Sequence, residues 1–163
     1  MNAPFKLHEV SVAAALSITK WDYRFLEQAK FTAGWSKDPS TKVGACIVAP
    51  NRSIVSVGYN GFPQNMPDTP ELYANRDEKY SRVVHAEMNA AMWAERSLVG
   101  CTLYSSLTPC DRCFVHMLQL GITRFVSPKP TADQLTRWGP AFERVRRYAK
   151  EANVELVEME LAP

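Results

Sequence analysis

From residue 85 onward the sequence alternates between helical and extended patterning, and no other feature narrows the fold as much. Residues 85–96 read as a helix, 101–106 as a strand, 110–120 as a helix stopped by Gly121, and 122–127 as a strand. A last helix is expected over 140–152 and a last strand over 154–160. Strand–helix–strand alternation argues for parallel strands with helices packed on the sheet. The final helix supplies the crossover of about a dozen residues that parallel neighbours require. Upstream, Thr19 is a candidate N-cap with Asp22 in the first turn. Trp21, Phe25, Leu26, Ala29 and Ala33 then recur at helical spacing, so a helix is expected over 19–34. Residues 42–49 and 54–59 are two β-branched runs around Pro50-Asn-Arg-Ser53 and read as an antiparallel hairpin. The fold is therefore α/β, an N-terminal antiparallel hairpin joined to a parallel block. Segment 60–80 holds Pro63, Pro67 and Pro70 with no sustained period and is expected to be a long loop. A loop of that length is an active-site wall or lid, or else a plain surface excursion.

The chain has 163 residues, which suits one domain over 1–163, with 1–18 as an N-terminal arm. At this size a protein buries ~70% of the surface its unfolded form exposes and needs no disulfide staples. With 19 Lys+Arg against 17 Asp+Glu, the net charge is +2. That balance gives no electrostatic case for a nucleic-acid or membrane-surface partner and leaves acidic substrates and small molecules open. The apolar run from Val10 to Leu16 follows Glu9 and falls well short of the ~20 residues of a membrane span. Cys46, Cys101, Cys110 and Cys113 are too unevenly scattered for a disulfide framework, so a reducing cytoplasm is the expected location.

The residues that carry chemistry are His85-Ala-Glu87 and, further on, Pro109-Cys-Asp-Arg-Cys113. Imidazole and thiolate suit zinc, which takes four tetrahedral partners. His85, Cys110 and Cys113 make three, which leaves a fourth position for water, the pattern of a catalytic site. Cys110 and Cys113, three apart in the first turn of a helix, share one face, and the positive end of the helix dipole favours both thiolates. His85 and Glu87 are two apart and would point in nearly opposite directions on an ideal helix. They converge only if His85 lies at an irregular helix start, which the extended look of Val83 and Val84 supports. Glu87 then stands beside the water as a proton carrier without ligating the metal. The pattern His-x-Glu with Pro-Cys-x-x-Cys is the known signature of zinc nucleobase deaminases, so this match is one of recognition. A Cys-x-x-Cys alone would equally suit a redox pair or half of a structural zinc site. Cys46 and Cys101 lie in apolar strands and read as small buried hydrophobes.

With these motifs and three further stretches, the chain resembles the deoxycytidylate (dCMP) deaminase family of the zinc-dependent cytidine deaminase superfamily. The likeness covers about residues 21–127. It rests on Ser36-Lys-Asp-Pro-Ser-Thr-Lys-Val-Gly-Ala-Cys-Ile-Val48, Gly58-Tyr-Asn-Gly61 and Val84-His-Ala-Glu-Met-Asn-Ala90, together with the cysteine motif. The resemblance implies a three-layer α/β/α fold whose five-stranded mixed sheet runs 2-1-3-4-5. It also implies a homo-oligomer, often a hexamer, that hydrolyses dCMP to dUMP and ammonia. Asn60 should touch sugar or base, although Asn-Gly is also a turn signal in its own right. Ser36, Lys37 and Lys42 are candidates for the 5′-phosphate, or the lysines are plain surface charges. Tyr104 is a candidate for packing near the base or within the core. Some members carry extra Cys or His before the His-Ala-Glu helix, forming a second zinc site. Residues 62–84 contain neither, so one Zn2+ per chain is expected.

Many members of this family are activated by dCTP and inhibited by dTTP at a site near subunit contacts, and Mg2+ would accompany such a triphosphate. Trp93 and Arg96, expected on the helix after Glu87 and three apart, share one face there. They are candidates for an interface anchor and an effector contact, or for a core residue and a solvated helix end. A tRNA adenosine deaminase would share the zinc motif but should show a more basic face. A riboflavin-pathway deaminase often carries a fused reductase, for which 163 residues leave no room. A non-catalytic zinc-stabilised binding module would have no need of Glu87.

Overall fold

The structure is a computed structural model that describes residues 18–160. The expected N-terminal arm, with the Val10–Leu16 run, falls almost wholly outside them. The elements are, in order, α1 (Lys20–Ala33), β1 (Gly44–Val48), β2 (Ile54–Tyr59), α2 (Pro70–Ala74) and α3 (Arg76–Arg82). Then follow α4 (Ala86–Met92), β3 (Thr102–Ser105), α5 (Asp111–Gln119), β4 (Arg124–Pro128), α6 (Ala132–Glu151) and β5 (Glu155–Met159). The five strands form one sheet in the order β2-β1-β3-β4-β5. β1 is antiparallel to both β2 and β3, while β3, β4 and β5 run parallel, as the alternation requires.

Side chains alternate across each strand, so the sheet has two apolar faces. Cys46, Val48, Tyr104, Val126, Val157 and Met159 meet Phe25, Leu26 and Ala29 of α1 on one face. Ala45, Ile47, Leu103 and Phe125 meet α4, α5 and α6 on the other, through residues such as Ala90, Phe114 and Val145. Helices thus cover both faces, giving the three layers expected. Two glycines set how closely they pack. A β-carbon on Gly44 would overlap the backbone of Ala29 and Ala33, and one on Gly58 would overlap Ala86 and Ala90. At α1, Thr19 closes a capping box with Asp22, whose buried carboxylate also takes hydrogen bonds from the Tyr104 hydroxyl at 2.9 Å and Arg124 at 2.6 Å.

Three elements differ from the sequence expectation. Segment 60–80 is no uniform loop, since it contains α2 and most of α3. Thr69 with Pro70 starts the first, and the Asn75 side chain accepts from the N–H groups of Asp77 and Glu78 to start the second. The helix after Glu87 ends at Met92 rather than 96, because the chain must leave it to bury Leu98 ahead of β3. The last helix begins at 132 rather than 140. Thr131 and Gln134 form a second capping box, and Pro140 sits inside the helix at the loss of a single N–H. Among the described residues no helix is long and apolar enough to cross a membrane.

Candidate active site

His85 is the N-cap of α4, with φ −69° and ψ 155°. Its extended backbone takes its side chain off the helical wheel, which is how residues two apart come to face one cavity. Backbone pairing of Val84 with Gly61 fixes the approach to this point. Glu87 follows in the first turn, 4% exposed, at the level where β3 ends. Ser105 Oγ lies 3.5 Å from its carboxylate. Cys110 is the N-cap of α5, and its Sγ accepts from the Cys113 N–H at 3.4 Å. Cys113 sits three residues on and is buried. Pro109 therefore precedes the cap rather than opening the helix.

These caps bring the three donor side chains together. His85 Nδ1 stands 3.6 Å from Cys110 Sγ and 3.4 Å from Cys113 Sγ. A tetrahedral zinc with Zn–S ~2.3 Å and Zn–N ~2.05 Å has an N···S edge of ~3.6 Å. The cluster thus has both the chemistry and the spacing of a zinc donor set. The electrostatics are shared among neighbours. Donation from the Cys113 thiol, then from His85 and the Cys113 N–H, holds the Cys110 thiol well below its ordinary range despite burial. The same hydrogen bond and burial push Cys113 up. The hydrogen bond to Cys110 raises His85. Burial, above all, raises the Glu87 carboxyl.

His85, Glu87 and Cys110 line a cavity of about 170 Å³. Its other walls come from three places. Asp38, Thr41, Val43 and Asn60 belong to the loop before β1 and the end of β2, Lys79 and Tyr80 to α3, and Arg137, Trp138 and Phe142 to α6. Asn60 reaches the cavity, but its side chain is engaged by the protein. Oδ1 accepts from the Val43 N–H at 2.8 Å and Nδ2 donates to the Thr41 carbonyl at 2.9 Å. Ser36 is buried and donates to the Asn60 carbonyl at 2.8 Å. Lys37 pairs with Asp68 at 2.7 Å on the surface, and Lys42 is exposed; neither is among the residues lining the cavity. Of the two readings of Tyr104, the structure has the one within the core. Strand alternation puts it on the sheet face opposite Ser105 and Glu87, against Phe25 with ring centroids 5.3 Å apart. It is a core residue under α1 and is not among the residues lining the cavity of Glu87. Trp93 caps the C-terminus of α4, and Arg96 lies in the bend beyond it, so they do not share a helical face. Lys79 stands in α3, within the segment expected to be loop, and Arg137 and Trp138 stand in the turns of α6 ahead of the expected start at 140, so no sequence signal marked them.

Comparison with known proteins agrees with this geometry. A family profile described as "Cytidine and deoxycytidylate deaminase zinc-binding region" matches residues 19–128. An uncharacterized deaminase in the luxG 3′ region of Aliivibrio fischeri is 40% identical over 144 residues, covering 88% of this chain and 97% of the relative. Human deoxycytidylate deaminase is 36% identical over 126 residues, 74% of this chain and 71% of its own. The crystal structure of dCMP deaminase from cyanophage S-TIM5 in complex with dCMP and dUMP shares the fold. Its TM-score is 0.71 at 23% identity, over 88% of this chain and 99% of that one. Fold, donor cluster and family match agree, and the chain belongs to the zinc-binding family of cytidine and deoxycytidylate deaminases.

Proposed function

We propose that this protein is a zinc-dependent hydrolase that converts dCMP and water to dUMP and ammonia. The observation that carries the reading is the buried Glu87 carboxylate facing the same cavity as a His/Cys/Cys donor cluster. A structural zinc site has no use for a carboxylate so placed. His85, Cys110 and Cys113 would hold one Zn2+, which supplies Lewis acidity and lowers the pKa of a water towards ~7. Glu87 accepts the proton of the attacking water and delivers it to the ring nitrogen beside the amine-bearing carbon. It then takes the second proton of that water from the new hydroxyl and passes it to the amine, which leaves as ammonia as the carbonyl forms. Burial at the cavity it shares with the donor cluster keeps the carboxylate out of bulk water, so the protons it takes up pass to the substrate. Asn60 shapes the wall by holding Thr41 and Val43 in place.

The monophosphate is favoured by relatives named deoxycytidylate deaminase across the matched region. A net charge of +2 offers no broad basic face for a tRNA. Ammonia release from dCMP, CMP, deoxycytidine, dCTP and tRNA tests the reading. Turnover is expected to be fastest on dCMP, and equal turnover of deoxycytidine would move the enzyme to the nucleoside branch. The protein further assembles as a homo-oligomer, a hexamer by family resemblance, and responds to dCTP and dTTP, with Mg2+ accompanying the triphosphate. An exposed aromatic band beside β2 supports association. A sigmoidal dCMP rate curve made hyperbolic by dCTP, in wild type but not in Arg96→Ala, would support the effector reading.

A further inference from the structure

We infer that Arg137, on the N-terminal half of α6, takes the 5′-phosphate of the substrate and is the residue that makes the enzyme prefer a nucleotide to a nucleoside. This rests on the monophosphate reading above and adds the residue that enforces it. The cavity that holds His85 and Glu87 has two cationic side chains in its wall, Lys79 and Arg137. Lys79 is unavailable. Its ammonium has three donors, and it faces three acceptors: Asp38 Oδ2 at 2.7 Å, Asp38 Oδ1 at 2.9 Å and Ser40 Oγ at 2.7 Å. Its charge is neutralised by the buried Asp38, and its work is to pin α3 against the loop before β1.

Arg137 is in the opposite condition. Its nearest acid, Asp133, is 3.8 Å away, too far for a strong hydrogen bond. Its guanidinium lies over the Trp138 ring, 4.2 Å from the centroid. Stacking fixes the plane of the group, and among the described residues no acceptor takes its N–H edges at hydrogen-bond distance, the presentation that suits bidentate binding of a phosphate. Lys37 and Lys42 cannot compete from where they stand. Lys37 is tied to Asp68 at the surface, and neither lysine lines the cavity. Arg137 also lies beyond residues 19–128, the part of the chain shared with the family profile. The chemistry thus belongs to the region the profile covers, and the phosphate contact to α6, which lies beyond it.

The test measures kcat and KM on dCMP and on deoxycytidine, and the binding of dUMP, for wild type, Arg137→Gln, Arg137→Lys and Lys37→Ala. Arg137→Gln should lower kcat/KM for dCMP about 10- to 100-fold, the worth of a hydrogen bond to a charged group, chiefly through KM. It should weaken dUMP to a similar degree and leave deoxycytidine nearly unchanged. Arg137→Lys should recover part of the loss, and Lys37→Ala should behave as wild type. If wild type prefers dCMP and Arg137→Gln keeps that preference, or loses both substrates equally, the assignment of Arg137 is wrong while the monophosphate reading stands. If wild type turns over deoxycytidine as well as dCMP, the monophosphate reading itself fails and takes Arg137 with it.

Discussion

Glu87 and the three donor side chains make separable demands on the site. His85, Cys110 and Cys113 are brought within bonding range of one ion by two helix caps, whereas Glu87 shares the cavity without joining the cluster. Glu87→Gln should therefore keep its zinc and its fold yet lose turnover beyond the ~10²–10⁴-fold typical of a single general acid–base group, since this carboxylate serves both proton transfers. Metal analysis alongside ammonia release checks it, and near-normal turnover would sink the shuttle. Cys113→Ser makes the opposite demand. It should lower zinc content and also the melting temperature, because metal binding to the folded state is folding free energy. A chelator should lower the melting temperature of wild type in the same way and do little to the variant. A full zinc complement in a Cys110→Ser, Cys113→Ser double variant would remove the donor assignment.

At the scale of elements, the capping carboxylate of α1 ties four parts of the sheet assembly together. Asp22 accepts from the Thr19 N–H at 2.7 Å, from the Tyr104 hydroxyl of β3 and from Arg124 of β4, which also pairs with Glu155 of β5 at 2.9 Å. Burial raises the Asp22 carboxyl, but Arg124 and the other donors outweigh it and leave the carboxyl below its usual range. Since the folded pKa is depressed, the stability this group contributes is fully present above the unfolded value of ~3.9 and fades as pH falls through the folded one. Asp22→Asn should cost about 2 kcal/mol at neutral pH. This is less than the roughly 3–5 of breaking a fully buried pair, because Arg124 keeps Glu155. The gap should narrow in acid, and denaturant midpoints at neutral and acid pH measure it; a gap independent of pH would remove the charge argument. Asp22 also shows where the sequence was readable. Its place in a first turn followed from Thr19, and the parallel run of the last three strands followed from alternation and crossover length, because both are local or topological consequences of the pattern; the strand order came from the family resemblance. The misplaced elements were those in which two local signals competed. Pro140 suggested a helix start and hid the Thr131/Gln134 box, and the prolines of 60–80 hid the caps at Thr69 and Asn75. The zinc donors and Glu87 were legible because their chemistry is compressed into short motifs. The cavity wall was not, since Lys79 lies in a helix hidden within 60–80 and Arg137 in the early turns of α6, ahead of the expected start at 140, and the two share a wall only in the tertiary fold.

At the scale of the molecule, the described residues carry a surface that their own fold does not explain. Beside the β2 edge, Phe31 (66% exposed) packs edge-on against Trp35, and Trp35 against Tyr59, with centroids 5.8 and 6.0 Å apart. Across a shallow groove from Tyr59 stand Met92 and Trp93, the latter 59% exposed. Singly exposed apolar residues are ordinary, but a contiguous aromatic band along a sheet edge is the kind of surface that interfaces use. The proposed homo-oligomer gives that cover a source. Aromatic side chains are the usual anchors of an interface, and a stable one buries about 1,200–2,000 Å² in total. The wild-type chain should sediment as an oligomer at micromolar concentration, and Trp93→Asp combined with Phe31→Asp should shift it towards smaller species. Neither residue lines the cavity of Glu87, so the variant should keep its fold and bind zinc normally. Activity then separates two cases. If the dissociated variant turns over dCMP normally, each chain carries a complete site; if it binds zinc but loses turnover, assembly completes the site. An unchanged sedimentation profile would show that this band is not where the copies meet.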